Sequence, residues 1–63
     1  MENEAFYVSY KLDDDREAVA KFANVNDRDG CWISLDMYKM NLGPISEAVW
    51  KQIVGKFSGT VLS

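Results

Sequence analysis

Between Phe6 and Leu12 the chain alternates, with Phe6, Val8, Tyr10 and Leu12 separated by Tyr7, Ser9 and Lys11. A period of two marks a strand with one buried face, so a strand is predicted here. Asp13, Asp14 and Asp15 come next. Short acidic side chains bond their own backbone and favour turns, so they end it.

The stretch from Glu17 to Val25 supports two readings. Glu17, Ala18, Ala20 and Lys21 are good helix formers, and an aspartate ahead of Arg16 can cap a helix. Ala18, Val19, Phe22 and Ala23 would then form one stripe. The residues after Val25 favour a strand instead. Asn26-Asp27-Arg28-Asp29-Gly30 reads as a turn cluster closed by glycine, and Cys31 to Met40 alternates again. A loop from Asp27 to Gly30 would set Phe22 opposite Leu35 and Ala20 opposite Met37. On the other face Lys21 would meet Asp36, and Val25 would meet Trp32. Apolar pairs with apolar and cation with anion, as cross-strand neighbours should. A hairpin is predicted.

In its second strand Cys31, Ile33, Leu35 and Met37 line one face, and Trp32, Ser34, Asp36, Tyr38 and Met40 the other. Asn41-Leu42-Gly43-Pro44 stops it. A helix then starts at Ser46, a good N-cap, with Ile45 and Trp50 spaced as a hydrophobic staple. Val49, Trp50, Ile53, Val54 and Phe57 recur at helical spacing, and Gly59 is the expected stop. Thr60-Val61-Leu62 has strand character but is too short to assign.

The expected fold class is α+β in the order β-β-β-α. It is a three-stranded antiparallel sheet with one C-terminal helix packed on one face. Residues 1–63 form a single small domain without a linker. Phe6, Val8, Tyr10, Leu12, Phe22, Ile33, Leu35, Met37, Val49, Trp50, Ile53 and Phe57 make the expected core. One helix covers only one face of a sheet. The open face would carry Tyr7, Lys11, Val19, Val25, Trp32, Asp36, Tyr38 and Met40, with Ser9 and Lys21 between them. This is the expected binding or dimerisation face, because Tyr, Trp and Met are enriched where proteins meet.

Composition makes that face matter more. The chain has 63 residues, 48% of them hydrophobic and 13% aromatic, which is a globular composition. At this length folding buries only ~60% of the surface the unfolded chain exposes, so the core is thin. Cys31 is the single cysteine and there is no histidine, so neither a disulfide within the chain nor a Cys/His zinc set can supplement it. Association with another chain is the remaining supplement.

Candidate chemistry is sparse. Cys31 lacks a neighbouring base and its phase points inward, as for a structural thiol. Asp13, Asp14, Asp15, Asp27 and Asp29 fall in expected turns, and a domain this small has no room for a cleft holding two carboxyls at a fixed separation. A calcium loop with its glycine at Gly30 would begin at Val25, which cannot ligate. No glycine-rich phosphate loop is present. The expectation is a protein that is not an enzyme, with no metal and no cofactor.

Net charge is -3 with a pI near 4.6, which repels a phosphate backbone on average. Glu2, Glu4 and the five aspartates just named form an acidic rim, chiefly serving solubility and able to attract a basic partner. No apolar run approaches the ~20 residues of a membrane span. The N-terminus is acidic and the lone cysteine is expected to stay reduced, so a cytoplasmic setting is expected. The expected function is a small acidic protein-interaction module, self-associating, that regulates or inhibits a larger macromolecule. Compact proteins of phage and mobile elements have this character. The alternative is a single-stranded nucleic-acid binder stacking bases on the same aromatics beside Lys11 and Lys21.

Overall fold

In the computed structural model, which describes residues 5–63, the first alternating stretch forms strand β1 (Phe6–Lys11). Its partner is strand β2 (Glu17–Phe22), antiparallel to it. Phe6 faces Phe22, Val8 faces Ala20 and Tyr10 faces Ala18 on the inner side. Tyr7 meets Lys21, Ser9 meets Val19 and Lys11 meets Glu17 on the outer side. Leu12 N–H donates to Arg16 O at 2.8 Å, and Asp15 N–H donates to Leu12 O at 3.1 Å. Asp15 takes a left-handed φ of 69°, so the acidic run makes a three-residue hairpin loop with one left-handed residue. Aspartate is among the few L residues that visit that region.

The expected hairpin at residues 17–40 is not formed. Residues 31–40 are not a strand but the body of helix α1 (Val25–Leu42). The expected pairs Phe22–Leu35, Ala20–Met37, Lys21–Asp36 and Val25–Trp32 are therefore absent, and β2 pairs with β1 instead. Asn24 is the cause of the helix start. Its side-chain Oδ1 accepts from Asp27 N–H at 2.8 Å, and its Nδ2 donates to Asp27 Oδ2 at 2.9 Å. This is a reciprocal N-terminal box, satisfying a donor the first turn would otherwise leave free. What resembled a hairpin loop at residues 27–30 is the start of a helix capped by Asn24.

Gly30 also has a different role from the one its sequence neighbours implied. A Cβ there would lie 2.7 Å from Phe57 Cε1, so glycine lets α1 pass close to the end of the next helix. That helix, α2 (Glu47–Lys56), lies where the sequence put it, with Ser46 Oγ accepting from Val49 N–H at 3.3 Å. Strand β3 (Thr60–Val61) then pairs antiparallel with β2, Ala20 facing Val61 and Lys21 facing Thr60. The architecture is α+β: a three-stranded antiparallel sheet in the order β1-β2-β3, with two helices rather than one on its inner face.

Val8, Leu12, Ala18, Ala20, Phe22, Cys31, Leu35, Ile45, Trp50, Ile53 and Val54 form the buried core. Tyr10, Val49 and Phe57 pack against it, as expected. Three expected core residues do not belong to it. Phe6, at the start of β1, is only partly buried. Ile33 is 59% exposed and Met37 56% exposed, because the helical turn rotates them away from the sheet. Ala18, Ala20, Cys31, Ile45 and Val54 complete the core in their place.

α2 ends in a Schellman arrangement. Gly59 N–H donates to Val54 O at 3.0 Å and Ser58 N–H to Gly55 O at 3.1 Å, with Ser58 left-handed at φ 60°. Gly59 is confined by its neighbours, since a Cβ there would sit 2.5 Å from Phe22 Cε2. Adjacent substitutions should thus have opposite signs. Ser58→Gly is expected to stabilise by about 0.5–1 kcal/mol, because glycine adopts that φ without a side-chain clash. Gly59→Ala is expected to destabilise by roughly 1–3 kcal/mol through overpacking against Phe22. Urea unfolding followed by circular dichroism measures both.

Candidate interaction surface

α1 carries apolar residues on two sides. Cys31 and Leu35 are fully buried toward the sheet, with Tyr38 packed beside them. Ile33, Met37 and Met40 stand at i, i+4 and i+7, which places them on one line along the helix. That line faces away from the core, and Met40 at its end is 81% exposed. Leu42 is exposed as well.

Contacts on both flanks fix this rotation. Toward β1, Tyr10 Oη donates to Asp36 Oδ1 at a long 3.4 Å. The Arg28 guanidinium lies 5.7 Å from the Phe6 ring centre, and Lys39 Nζ lies 5.8 Å from that of Tyr10. Burial, reinforced by the Asp36 carboxylate, raises the Tyr10 pKa above that of an ordinary phenol. Toward α2 the contact is Gly30 against Phe57. Phe57 also borders a groove of about 370 Å³, lined chiefly by Met37, Tyr38 and Leu42 from α1, by Ile53 and Lys56 from α2 and by Phe57 at its C-cap. Met37 belongs to both stripe and groove. Asp29 and Asp36 lie along the stripe's opposite margin, one turn either side of Ile33.

The expected docking residues are divided between two surfaces. Tyr7, Lys11 and Val19 do sit on the outer face of the sheet, with Ser9 and Lys21 beside them. Neither helix contributes to that face. Val25, Trp32, Asp36, Tyr38 and Met40 are instead on α1. Val25 opens the helix, Trp32 is half exposed, and Tyr38 lies against the core. Met40 joins the stripe. A base-stacking platform on the sheet would have Tyr7 without Trp32 or Tyr38 beside it.

Of the acidic rim, Asp13, Asp14 and Asp15 form the hairpin turn as expected. Asp27 and Asp29 lie in the first turns of α1, where Asp27 completes the cap and Asp29 Oδ1 accepts from Arg28 Nε at 2.8 Å. Glu2 and Glu4 lie outside the described residues. The sequence reading missed Ile33 and Met37 as surface residues. Their i, i+4, i+7 spacing with Met40, together with the Asn24–Asp27 box, was the available signal.

Among the described residues no group of three or more His, Cys, Asp or Glu side chains is arranged to hold a metal. No helix among them is long and apolar enough to cross a membrane. Comparison with family models, curated proteins and solved structures gives no match for this chain.

Cys31 is fully buried, and desolvation pushes its thiol pKa up to about 11. A thiolate is the reactive form, so the native protein should resist iodoacetamide at neutral pH. Alkylation measured by mass spectrometry is expected to track the unfolded fraction as urea is added. Rapid labelling without denaturant would contradict the packing of α1 on the sheet.

Proposed function

We propose that the chain is a small, non-catalytic protein-interaction module that grips a larger protein through the outer stripe of α1 and the adjoining groove. The supporting observation is the exposed line Ile33, Met37, Met40 on a helix already anchored by its other side. Methionine side chains adapt to the shape of a partner, which suits them to such a surface.

Magnitudes decide how much surface is needed. Full burial of one such side chain contributes roughly 1.5–3 kcal/mol, so covering these partly shielded three yields about 3–5 kcal/mol. Association costs on the order of 4–15 kcal/mol in lost freedom. The stripe alone is too small. A partner must also fill the groove and complement the charge of the acidic margin, where Asp29 already accepts from Arg28 and Asp36 from Tyr10.

That margin sets the occupant: an amphipathic helix of another protein, with lysine or arginine along one edge. Asp29 and Asp36 flank the stripe and the chain's net charge is -3, so a basic edge gains on approach and in contact. Two copies packed antiparallel would set these aspartates against their own counterparts. Self-association is the less favoured outcome for this surface. Occupying a basic segment would regulate the partner by masking it.

A Leu/Lys amphipathic helical peptide is the probe for this reading. Titration into the labelled chain is expected to shift amide resonances along α1 and beside the groove, with affinity falling as salt rises. The matched Leu/Glu peptide should bind far more weakly. Ile33→Asp and Met37→Asp should each lower affinity for the Lys peptide tenfold or more, roughly the loss of one anchor side chain. Equal binding of both peptides, or shifts confined to Tyr7, Lys11 and Val19, would refute the assignment. A concentration-dependent dimer abolished by Met37→Asp would make a second copy the occupant instead.

A further inference from the structure

Two observations fix which way the backbone of β1 points. Leu12 N–H donates to Arg16 O across the hairpin at 2.8 Å, so Tyr10–Ala18, Val8–Ala20 and Phe6–Phe22 are the hydrogen-bonded pairs of an alternating antiparallel ladder. Val19, opposite Ser9, directs both its backbone groups to the other side, donating to Ser63 O and accepting from Leu62 N–H. The N–H and C=O of Tyr7, Ser9 and Lys11 therefore point out of the sheet's edge. β1 is the first strand in the order β1-β2-β3, and no turn or loop backbone bond among the described residues ends on those groups. The ring and hydroxyl contacts from Arg28, Asp36 and Lys39 of α1 fall on Phe6 and Tyr10, whose side chains stand on the inner face, and leave this edge unpaired.

The two edges of the sheet are not alike. An exposed edge invites pairing with another chain, and proteins blunt it with short strands, proline, bulges or charges. The far edge is short, since β3 has two residues. β1 has six, with no proline, an unbroken register and a single charge, Lys11, at its end.

β1 is also complementary to itself. Placed antiparallel about a two-fold axis at Ser9, one copy sets its Ser9 against Ser9 of the other and its Tyr7 against Lys11 of the other. Every outward-pointing residue of β1 then exchanges both backbone bonds with its counterpart. Along the outer face, Lys21 and Tyr7 of one copy are followed by Lys11 and Glu17 of the second, so no like charges stand side by side. On the inner face Val8 meets Tyr10. Sliding the register by two residues sets Lys11 against Ala5 or Tyr7 against Asp13, each beyond an end of β1.

We infer that the chain forms a two-fold dimer in which β1 pairs antiparallel with β1 of a second copy, joining the two sheets into one. The symmetry uses the β1 edge of both copies, so the assembly closes with only the short β3 strands at its ends. It calls on no residue of the Ile33, Met37, Met40 stripe and stands independently of the function proposed for it.

The test combines sedimentation velocity over a wide concentration range with amide hydrogen exchange, both on the intact chain. The expected result is a monomer–dimer equilibrium in which exchange at Tyr7, Ser9 and Lys11 slows as concentration rises, while Val8 and Tyr10 are protected throughout. Ser9→Lys and Ser9→Glu should each weaken the dimer about fivefold by setting like charges across the axis, and mixing the two variants should restore it. Met37→Asp should leave it unchanged. A monomer at every concentration up to millimolar would overturn the inference. So would a dimer whose three outward amides still exchange fast, or one abolished by Met37→Asp. The exchange pattern is read on the unaltered chain, so it decides the matter even where a Ser9 variant misfolds.

Discussion

The inner face of β2 reads Ala18, Ala20, Phe22, and the two alanines at the centre of the sheet are the constraint on which the rest of the fold depends. Small side chains on the middle strand leave depth for larger ones arriving from above. Leu35 of α1 and Trp50, Ile53 and Val54 of α2 supply them, and Ile45 fills the bend between the helices. The flanking strands contribute Val8 and, in part, Val61. A bulky residue at either alanine would lift a helix off the sheet, and a core this thin has no second layer to compensate. Both helices are consequently committed to one face, and the other carries Tyr7, Ser9, Lys11, Val19 and Lys21 bare.

Local devices hold the helices in that position. Asp13 N–H donates to Ile45 O at 2.9 Å, tying the acidic turn to the linker between α1 and α2. Arg16 reinforces the same corner by bridging Asp14 and Glu47. Hydrogen bonding to Arg16 holds the Asp14 and Glu47 carboxyls below their ordinary pKa values. A depressed folded-state pKa means the bridge contributes fully above the unfolded-state value and is lost as pH falls through the lowered one. All three groups are well exposed, so the contribution is small. The corner owes its order chiefly to the backbone bond and the buried Leu12 and Ile45.

Much of this fold was legible in the sequence, and the part that was not has a specific cause. β1, the acidic turn and α2 come from alternation, turn chemistry and a capped helical stripe, each unopposed by another pattern. The strand expected from Glu17 to Val25 is present only as Glu17–Phe22, with Val25 opening α1, and its expected partner at residues 31–40 is helical. The error lies at residues 25–42. Cys31, Ile33, Leu35 and Met37 alternate as a strand would, while Cys31, Leu35, Tyr38 and Leu42 recur as a helix would. Apolar residues on both sides of α1 erase the contrast on which period reading depends. Asn24 with Asp27 was the local signal that breaks the tie, and Gly30 obscured it by resembling a turn residue. The open sheet face was legible too, but five of the eight residues expected on it belong to α1.

That same ambiguity marks the proposed interaction surface. A helix needing only its inner side to fold has no structural use for Ile33, Met37 and Met40 on its outer side, and that is the ground on which a partner is proposed there. The most direct measurement is solvent paramagnetic relaxation of methyl groups in the free chain, using a soluble gadolinium chelate. Strong broadening at Ile33, Met37 and Met40 with protection of Leu35 is the expected pattern. Equal protection of Ile33, Leu35 and Met37 would mean that the segment alternates as a strand, and the outer stripe would not exist.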